Sequence, residues 1–349
     1  MSEKNQLLES ISKTIHTYRE GELPVPTPDH VERWASQFTR VDEIPFLREF
    51  DHVIRQTFLT KEIVGKFLAG LVFNKFLAGD DPRAFWAGTN FLQIQSDGQS
   101  QREMVQRFAE ILRDQCGLEL AKCGGDTGVF IYLDDVLFSG RRVETDLQRW
   151  IAIEAPANAI VHVILIAFHT SGHYYITSTG LKRAIADSGK NIKIKFWRLV
   201  ELKNQKSQKN SSDVLWPSAV PEDDAVQQYV ASEQRFPLAL RAPGGPLGFF
   251  PSEDGRALLE REFLTAGVRI RSLTQTPRNH VRPLGFGSFG VGFGSLVATY
   301  RNCPNNCPLA VWWGDAKATS GALCWYPLLP RKTYSDPENI FSAFKSLTT

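Results

Sequence analysis

The chain is short of cysteine, of net charge and of long apolar runs, and each shortage excludes something. Five cysteines in 349 residues, at 116, 123, 303, 307 and 324, are an odd and sparse set. They fit a reducing compartment better than a disulfide framework. Cys303 and Cys307 are spaced C-x3-C, and with Cys324 they come nearest to a zinc motif. A second close pair and an obvious fourth ligand are missing, so free structural thiols are expected and no metal site. The formal net charge is only +2, too little for the whole chain to advertise nucleic-acid binding. The most apolar run, Ile160 to Phe168, is interrupted by His162. It falls well short of the roughly 20 residues that span a membrane. The opening MSEKNQLLESISK has no apolar leader core. A cytoplasmic protein with no membrane contact is expected. No internal repeat is present.

What is present is the composition of an ordinary globular protein, 42% apolar and 22% charged. Its length allows two domains or one large one. Residues 1–40 read as polar helix, broken at Glu22-Leu-Pro-Val-Pro-Thr-Pro28, with Thr27 placed to cap a helix that starts at Pro28. Apolar residues at helical spacing in the stretch from Phe46 to Leu77 predict two helices with a break near Thr60. From Asn90 the period changes. Asn90–Gln95 alternates as a strand, Ser96–Ser100 is a turn, and Arg102–Cys116 is a helix. Val129–Leu133 is a strand, a helix runs from about Val143 to Ile153, and Ala159–Phe168 is a strand buried on both faces. A helix over Tyr174–Ser188 and a strand over Ile192–Leu202 complete the pattern. Strands alternating with helices imply a parallel sheet with helices on both faces.

Lys203–Ser212 is polar and basic without interleaved aromatics, so it reads as a surface loop or linker. Beyond it proline and glycine are frequent, and one helix is expected over Glu253–Ala266. The expected division is a helical region 1–80, an α/β core 81–212 and an irregular α+β extension 213–349. Gly285-Phe-Gly-Ser-Phe-Gly290 spells G-x-G-x-x-G, but no strand–helix unit surrounds it and no kinase motif accompanies it. A glycine-rich strand with close backbone packing is expected there. The aromatics from Asn302 to Arg331 are expected in a core, a cap or an interface.

The best-marked segment is Val129-Phe-Ile-Tyr-Leu-Asp134-Asp135-Val-Leu-Phe138-Ser139-Gly140-Arg141-Arg142. An apolar strand ends in two acids, a short Ser-Gly bend follows, and then a helix. Ligands of open α/β sheets bind at the carboxyl ends of strands. Adjacent carboxylates there accept hydrogen bonds from two neighbouring hydroxyls, as on a ribose, and attract a hydrated magnesium ion. The bend's amides and the helix start favour an anion such as phosphate. Gly140 permits close approach, Ser139 offers a hydroxyl, and Arg141 and Arg142 add charge.

This segment resembles the diphosphoribose-binding motif of the phosphoribosyltransferases: four apolar residues, two acids, two variable residues, then a Thr/Ser pair and Gly. The resemblance implies a phosphoribosyltransferase-like sheet. It implies that Asp134 and Asp135 hold the ribose 2′ and 3′ hydroxyls, and that Phe138, Ser139, Gly140, Arg141 and Arg142 cradle the 5′-phosphate. It also implies a phosphoribosyl diphosphate or nucleotide ligand, with Mg2+ carried on the diphosphate. Three departures bear on catalysis. Phe138 stands where a small hydroxylated residue is usual, and Arg142 where the family often has Thr or Ser. Only about a dozen residues separate the helix near Cys116 from Val129, where active enzymes carry a mobile hood that excludes water from the reacting ribose.

In the family a second loop binds the diphosphate. Ser96, Gly98 and Ser100 occupy the corresponding place, and an ordinary turn is the equal alternative. His169 and Thr170, in His169-Thr-Ser-Gly-His173, are candidates for contact with the acceptor, against a plain polar loop. No nucleophile or general base is legible. Asp-Asp-Val-x-Phe-Ser-Gly, together with the tail Pro304-Asn-Asn-Cys-Pro308, Trp312 and Trp325-Tyr-Pro-Leu-Leu-Pro-Arg331, resembles a bacterial group of phosphoribosyltransferase-like proteins. That group is found in anti-phage cassettes, including some retrons. This implies an effector held silent by a partner, such as a reverse transcriptase with its DNA–RNA product, and leaves a homo-oligomer open.

Overall fold

In the computed structural model, residues 1–39, 42–96, 99–274, 281–287 and 290–332 are described. The chain begins with α1 (Glu3–Thr14), α2 (Pro28–Ala35), α3 (Glu43–Thr57) and β1 (Phe58–Leu59). Next come α4 (Lys61–Val72), α5 (Lys75–Ala78), α6 (Pro82–Ala87), β2 (Asn90–Phe91), α7 (Ser100–Cys116), β3 (Val129–Leu137) and α8 (Arg141–Ile153). β4 (Asn158–His169), α9 (Thr170–Tyr175), α10 (Leu181–Ser188) and β5 (Asn191–Leu202) follow. The remainder adds α11 (Asp224–Ser232), α12 (Glu253–Ser272), β6 (Ala298–Thr299) and α13 (Leu309–Trp312). Among the described residues no helix is long and apolar enough to cross a membrane.

The chain divides into two compact units, Glu62–Leu202 and Met1–Lys61 together with Lys203–Thr349. The boundaries thus lie at 61/62 and 202/203, where the sequence suggested 80/81 and 212/213. The N-terminal helices and the C-terminal extension form one unit because they share one core. Trp34 of α2 lies against Phe50 of α3 and Phe263 of α12, and its Nε1 donates to the Ala310 carbonyl at 2.7 Å. Trp312, Trp313 and Trp325 are buried in the same cluster. Both segments supply the residues that bury these rings. As expected, α2 starts at Pro28, and Thr27 Oγ1 accepts from the His30 amide at 3.2 Å.

The other unit is a four-stranded parallel sheet in the order β2-β3-β4-β5. Tyr132, Val161, Val163 and Leu165 share a core cluster with Val143, Leu147 and Trp150 of α8 and Leu181 of α10. Phe91 of β2 packs against Trp86 of α6 and Phe108 of α7. These residues form the mixed α/β arrangement expected, a parallel sheet flanked by helices.

Several elements differ from their expected extents: α12 runs on to Ser272, and three other differences have a local reason. β2 spans two residues, because the Gln101 side chain takes the Ile94 and Gln95 amides at 2.8 and 3.0 Å. The helix expected over 174–188 is α9, a wide π-type turn over Ile176–Gly180, and α10. In that turn Thr177 Oγ1 and Ser178 Oγ bond back to the His173 and Tyr174 carbonyls. Of the glycine segment 285–290, the described residues 285–287 and 290 form loop, with Gly285 and Gly290 buried; residues 288–289 lie outside the described residues. Gly285 there has φ +93°, and a Cβ on it would meet the Asn306 and Cys307 backbone. The close packing is as expected; the strand is not.

Candidate phosphoribose site

β3 runs to Leu137, so the acid pair lies inside the last four residues of the strand. The sequence placed it just beyond the end. The ladder persists because β4 is long: Asp134 pairs with Leu165 and Val136 with Ala167. Position then separates the two acids. Asp134 is only 4% exposed, whereas Asp135 is partly exposed. Asp134 Oδ1 accepts from the Asp135 amide at 2.9 Å, and Asp135 Oδ1 accepts from the Val136 amide at 2.7 Å. Burial first, and then the neighbouring Asp135 charge, push the Asp134 carboxyl up to about 7. A hydrogen bond from the Ser100 hydroxyl and the Arg142 charge pull the other way.

Ser100 is buried at the start of α7, and its Oγ also accepts from Gln95 Nε2 at 3.0 Å. Of the three residues expected to form a diphosphate loop, Ser100 is thereby brought to the acid pair. Ser96 is exposed and its amide bonds Asp146, while Gly98 lies outside the described residues. Asp146 of α8 is buried, accepts from the Tyr132 hydroxyl at 3.0 Å, and has its carboxyl raised by burial. Gln95, Gln101 and Asp146 were not singled out from the sequence. Asp146 did carry a signal, since it stands on the apolar face defined by Val143, Leu147 and Trp150.

The bend after β3 is Phe138-Ser139-Gly140, and α8 begins at Arg141. Gly140 has φ +80°, a left-handed conformation that L side chains rarely adopt. The α8 ladder begins with the Glu144 amide donating to the Gly140 carbonyl. The amides of Arg141, Arg142 and Val143 precede it, and no side chain caps them at the Gly140 N-cap. The Arg141 amide donates to its neighbour Ser139 Oγ at 3.4 Å. Arg141 and Arg142 are exposed, and among the described residues neither has an ion-pair partner. Ser139 is exposed beside them. These groups together present positive potential at the bend.

Phe138 anchors the bend: its ring stacks on His169, with centroids 4.9 Å apart. His169 is fully buried at the end of β4, and its Nδ1 lies 3.2 Å from the Leu137 carbonyl. Burial depresses its imidazole to about 3, so it is neutral. The structure therefore places His169 beneath the cradle, where direct acceptor contact is closed to it. Thr170 is partly exposed at the start of α9. α9 closes on the bend through Gly172, where a Cβ would lie 2.0 Å from the Phe138 carbonyl oxygen. Gly172→Ala is therefore expected to cost about 1–3 kcal/mol by displacing backbone, measurable by urea unfolding, and to loosen the bend.

Among the described residues no group of three His, Cys, Asp or Glu could hold a metal. Cys303 and Cys307 are buried free thiols. Two carboxylates alone suit magnesium only when a ligand's phosphates and water complete its shell. The donor set thus fits a magnesium ion brought on a diphosphate and does not fit a resident metal.

Comparison with known proteins decides the family. The model of the PRTase-CE family matches residues 31–331. The chain belongs to that family. The match takes in parts of both units, from within α2 through the sheet to Arg331 of the extension, and leaves α1 outside it. A phosphoribosyltransferase-like protein, expected from residues 129–142, is what this PRTase-CE chain is. No curated protein and no solved structure matches it.

Proposed function

We propose that the PRTase-CE chain binds the 5-phosphoribosyl group of phosphoribosyl diphosphate or of a nucleotide. The observation that carries this reading is the open α8 start beside an acid pair. Uncapped amides, Ser139 and the two exposed guanidiniums stand at one end of β3, with Asp135 on the rim and Asp134 behind it. The 5′-phosphate takes the amides and arginines, and the ribose hydroxyls donate to the carboxylates. Magnesium, when bound with a diphosphate, neutralises the leaving group. In an enzyme, the carboxylates would stabilise positive charge developing on the sugar ring.

A second reading, a nucleotide-sensing module without turnover, is favoured by one observation. Residues 117–128 hold only a short 3-10 turn at Leu120–Lys122 and no segment long enough to act as a hood. A thermal-shift titration with phosphoribosyl diphosphate and magnesium tests binding. At a hundred times its dissociation constant the ligand adds about 2.7 kcal/mol. No shift at millimolar ligand would end both readings, and diphosphate release separates them.

The tail around Trp312 and Trp325 supports a place in anti-phage defence, with a reverse transcriptase and its DNA–RNA product as the silencing partner in the cytoplasm. Co-purification of the chain with such a neighbour tests this. An isolated gene among nucleotide-salvage genes would count against it.

A further inference from the structure

The two edges of the parallel sheet are unequal. β2 spans two residues, whereas β5 spans twelve and, among the described residues, has one neighbour, β4. Long edge strands are normally shortened, bulged or interrupted by proline, because their free amides and carbonyls invite pairing. β5 reads Asn191-Ile-Lys-Ile-Lys-Phe-Trp-Arg-Leu-Val-Glu-Leu202, with no proline or glycine. It pairs with β4 almost continuously from Asn191 to Leu202. Phe196, Trp197 and Val200 are only partly buried, and Leu199 is 37% exposed. Lysine is the usual edge protector, and Lys193 and Lys195 are exposed. Both lie in the first half of the strand, while Glu201 lies near the other end.

That asymmetry suits self-pairing. In an antiparallel pair about a two-fold axis normal to the sheet, residues on one face stay on that face. Opposed positions therefore sum to a constant even number. With the axis at Trp197, Lys193 stands opposite Glu201 twice. Ile194 faces Val200, Ile192 faces Leu202, and Phe196 faces Arg198. No like charges oppose. Moving the axis to Phe196 sets Lys195 against Trp197 and leaves Glu201 opposite Asn191. Moving it to Arg198 sets Arg198 against itself and Lys193 against Lys203. Only the first register satisfies both charge and hydrophobicity.

We infer that β5 is a homodimer interface, pairing antiparallel with β5 of a second copy about Trp197 to make a continuous eight-stranded sheet. Glu201, 2.5 Å from Arg198 within its own strand, gains Lys193 of the second copy as a further partner. Trp197 stays tied by its Nε1 to His162 Nδ1 at 2.9 Å and so presents a fixed ring at the axis. The dimer is independent of the phosphoribose reading.

Sedimentation velocity of the full chain at about 50 µM tests it, a concentration at which even a weak specific dimer is populated. The wild type is expected to be dimeric. Lys193→Glu or Glu201→Lys alone puts like charges at both symmetric positions, and each should weaken the dimer about tenfold or more. The pair Lys193→Glu with Glu201→Lys should restore it, which also shows that the single variants failed at the interface and not in folding. A monomeric wild type overturns the inference, including one whose β5 takes a different protein. So do single variants that dimerise normally, or rescue of Glu201→Lys by Lys195→Glu in place of Lys193→Glu.

Discussion

Replacing Asp134 and Asp135 together by asparagine is expected to weaken phosphoribosyl diphosphate binding about a hundredfold or more with the fold intact. At pH 8, above the raised Asp134 value of about 7, each substitution removes a charged acceptor, and a hydrogen bond to a charged group is worth about 1.5–3 kcal/mol. Two such losses exceed the roughly 2.7 kcal/mol that corresponds to a hundredfold. The fold should survive because an asparagine carbonyl in place of the Asp134 carboxylate still accepts from the Asp135 amide and the Ser100 hydroxyl, the bonds the native side chain makes.

Stability should move the other way. Burial and Asp135 raise Asp134 from its ordinary 3.8 to about 7. Between those values the native protein holds a proton that the unfolded chain has released. Stability therefore falls as pH rises from about 4 through 7. A shift of about three units corresponds to something on the order of 4 kcal/mol at pH 8. Asp134→Asn alone should flatten this decline, so its melting temperature gains on the wild type between pH 5 and pH 8. Calorimetry across that range checks it. A wild-type profile as flat as that of the variant would show that Asp134 is ordinarily solvated. Binding undiminished in the double variant would remove the site assignment.

The second large effect is expected in the other unit. Glu260 of α12 is 2% exposed and accepts from Arg256 Nε at 2.8 Å, from Arg241 Nη2 at 3.3 Å and from the Trp216 amide at 3.0 Å. Both arginine side chains are 1% exposed. Arg256 also donates to the Ser212 and Val214 carbonyls, and Arg241 to Glu253. Glu260→Ala leaves two buried guanidiniums short of compensation and removes the carboxylate that the Trp216 amide donates to. Its cost should be about 3–5 kcal/mol, read from urea unfolding. Glu260→Gln should cost less, because its carbonyl still serves Trp216. An alanine variant as stable as wild type would mean that water enters and solvates the arginines.

Legibility differed from element to element. α2 was readable because its signals are local: Thr27, then Pro28, then apolar residues at helical spacing. The β3–bend–α8 segment was readable because strand, acids, glycine and helix start are contiguous. Other features depended on distant partners. The Gln101 side chain kept β2 short by taking the Ile94 and Gln95 amides that follow it, and nothing in Asn90–Gln95 announces that. The hydroxyls of Thr177 and Ser178 widened a helix that looked continuous. Phe138, an oddity within the motif, became intelligible only with His169 beneath it.

By itself the sequence determined the alternating α/β pattern and the place of the acid pair, bend and arginines along the chain. Those depend on side-chain period and backbone preference over a few residues. The tertiary structure alone decided that Asp134 would be buried and Asp135 left at the rim, and that Ser100 would reach the carboxylate. It also decided that residues 1–61 would share a core with residues 203–349. Burial and dielectric are set by whatever packs alongside, and those neighbours are drawn from positions far away in the chain.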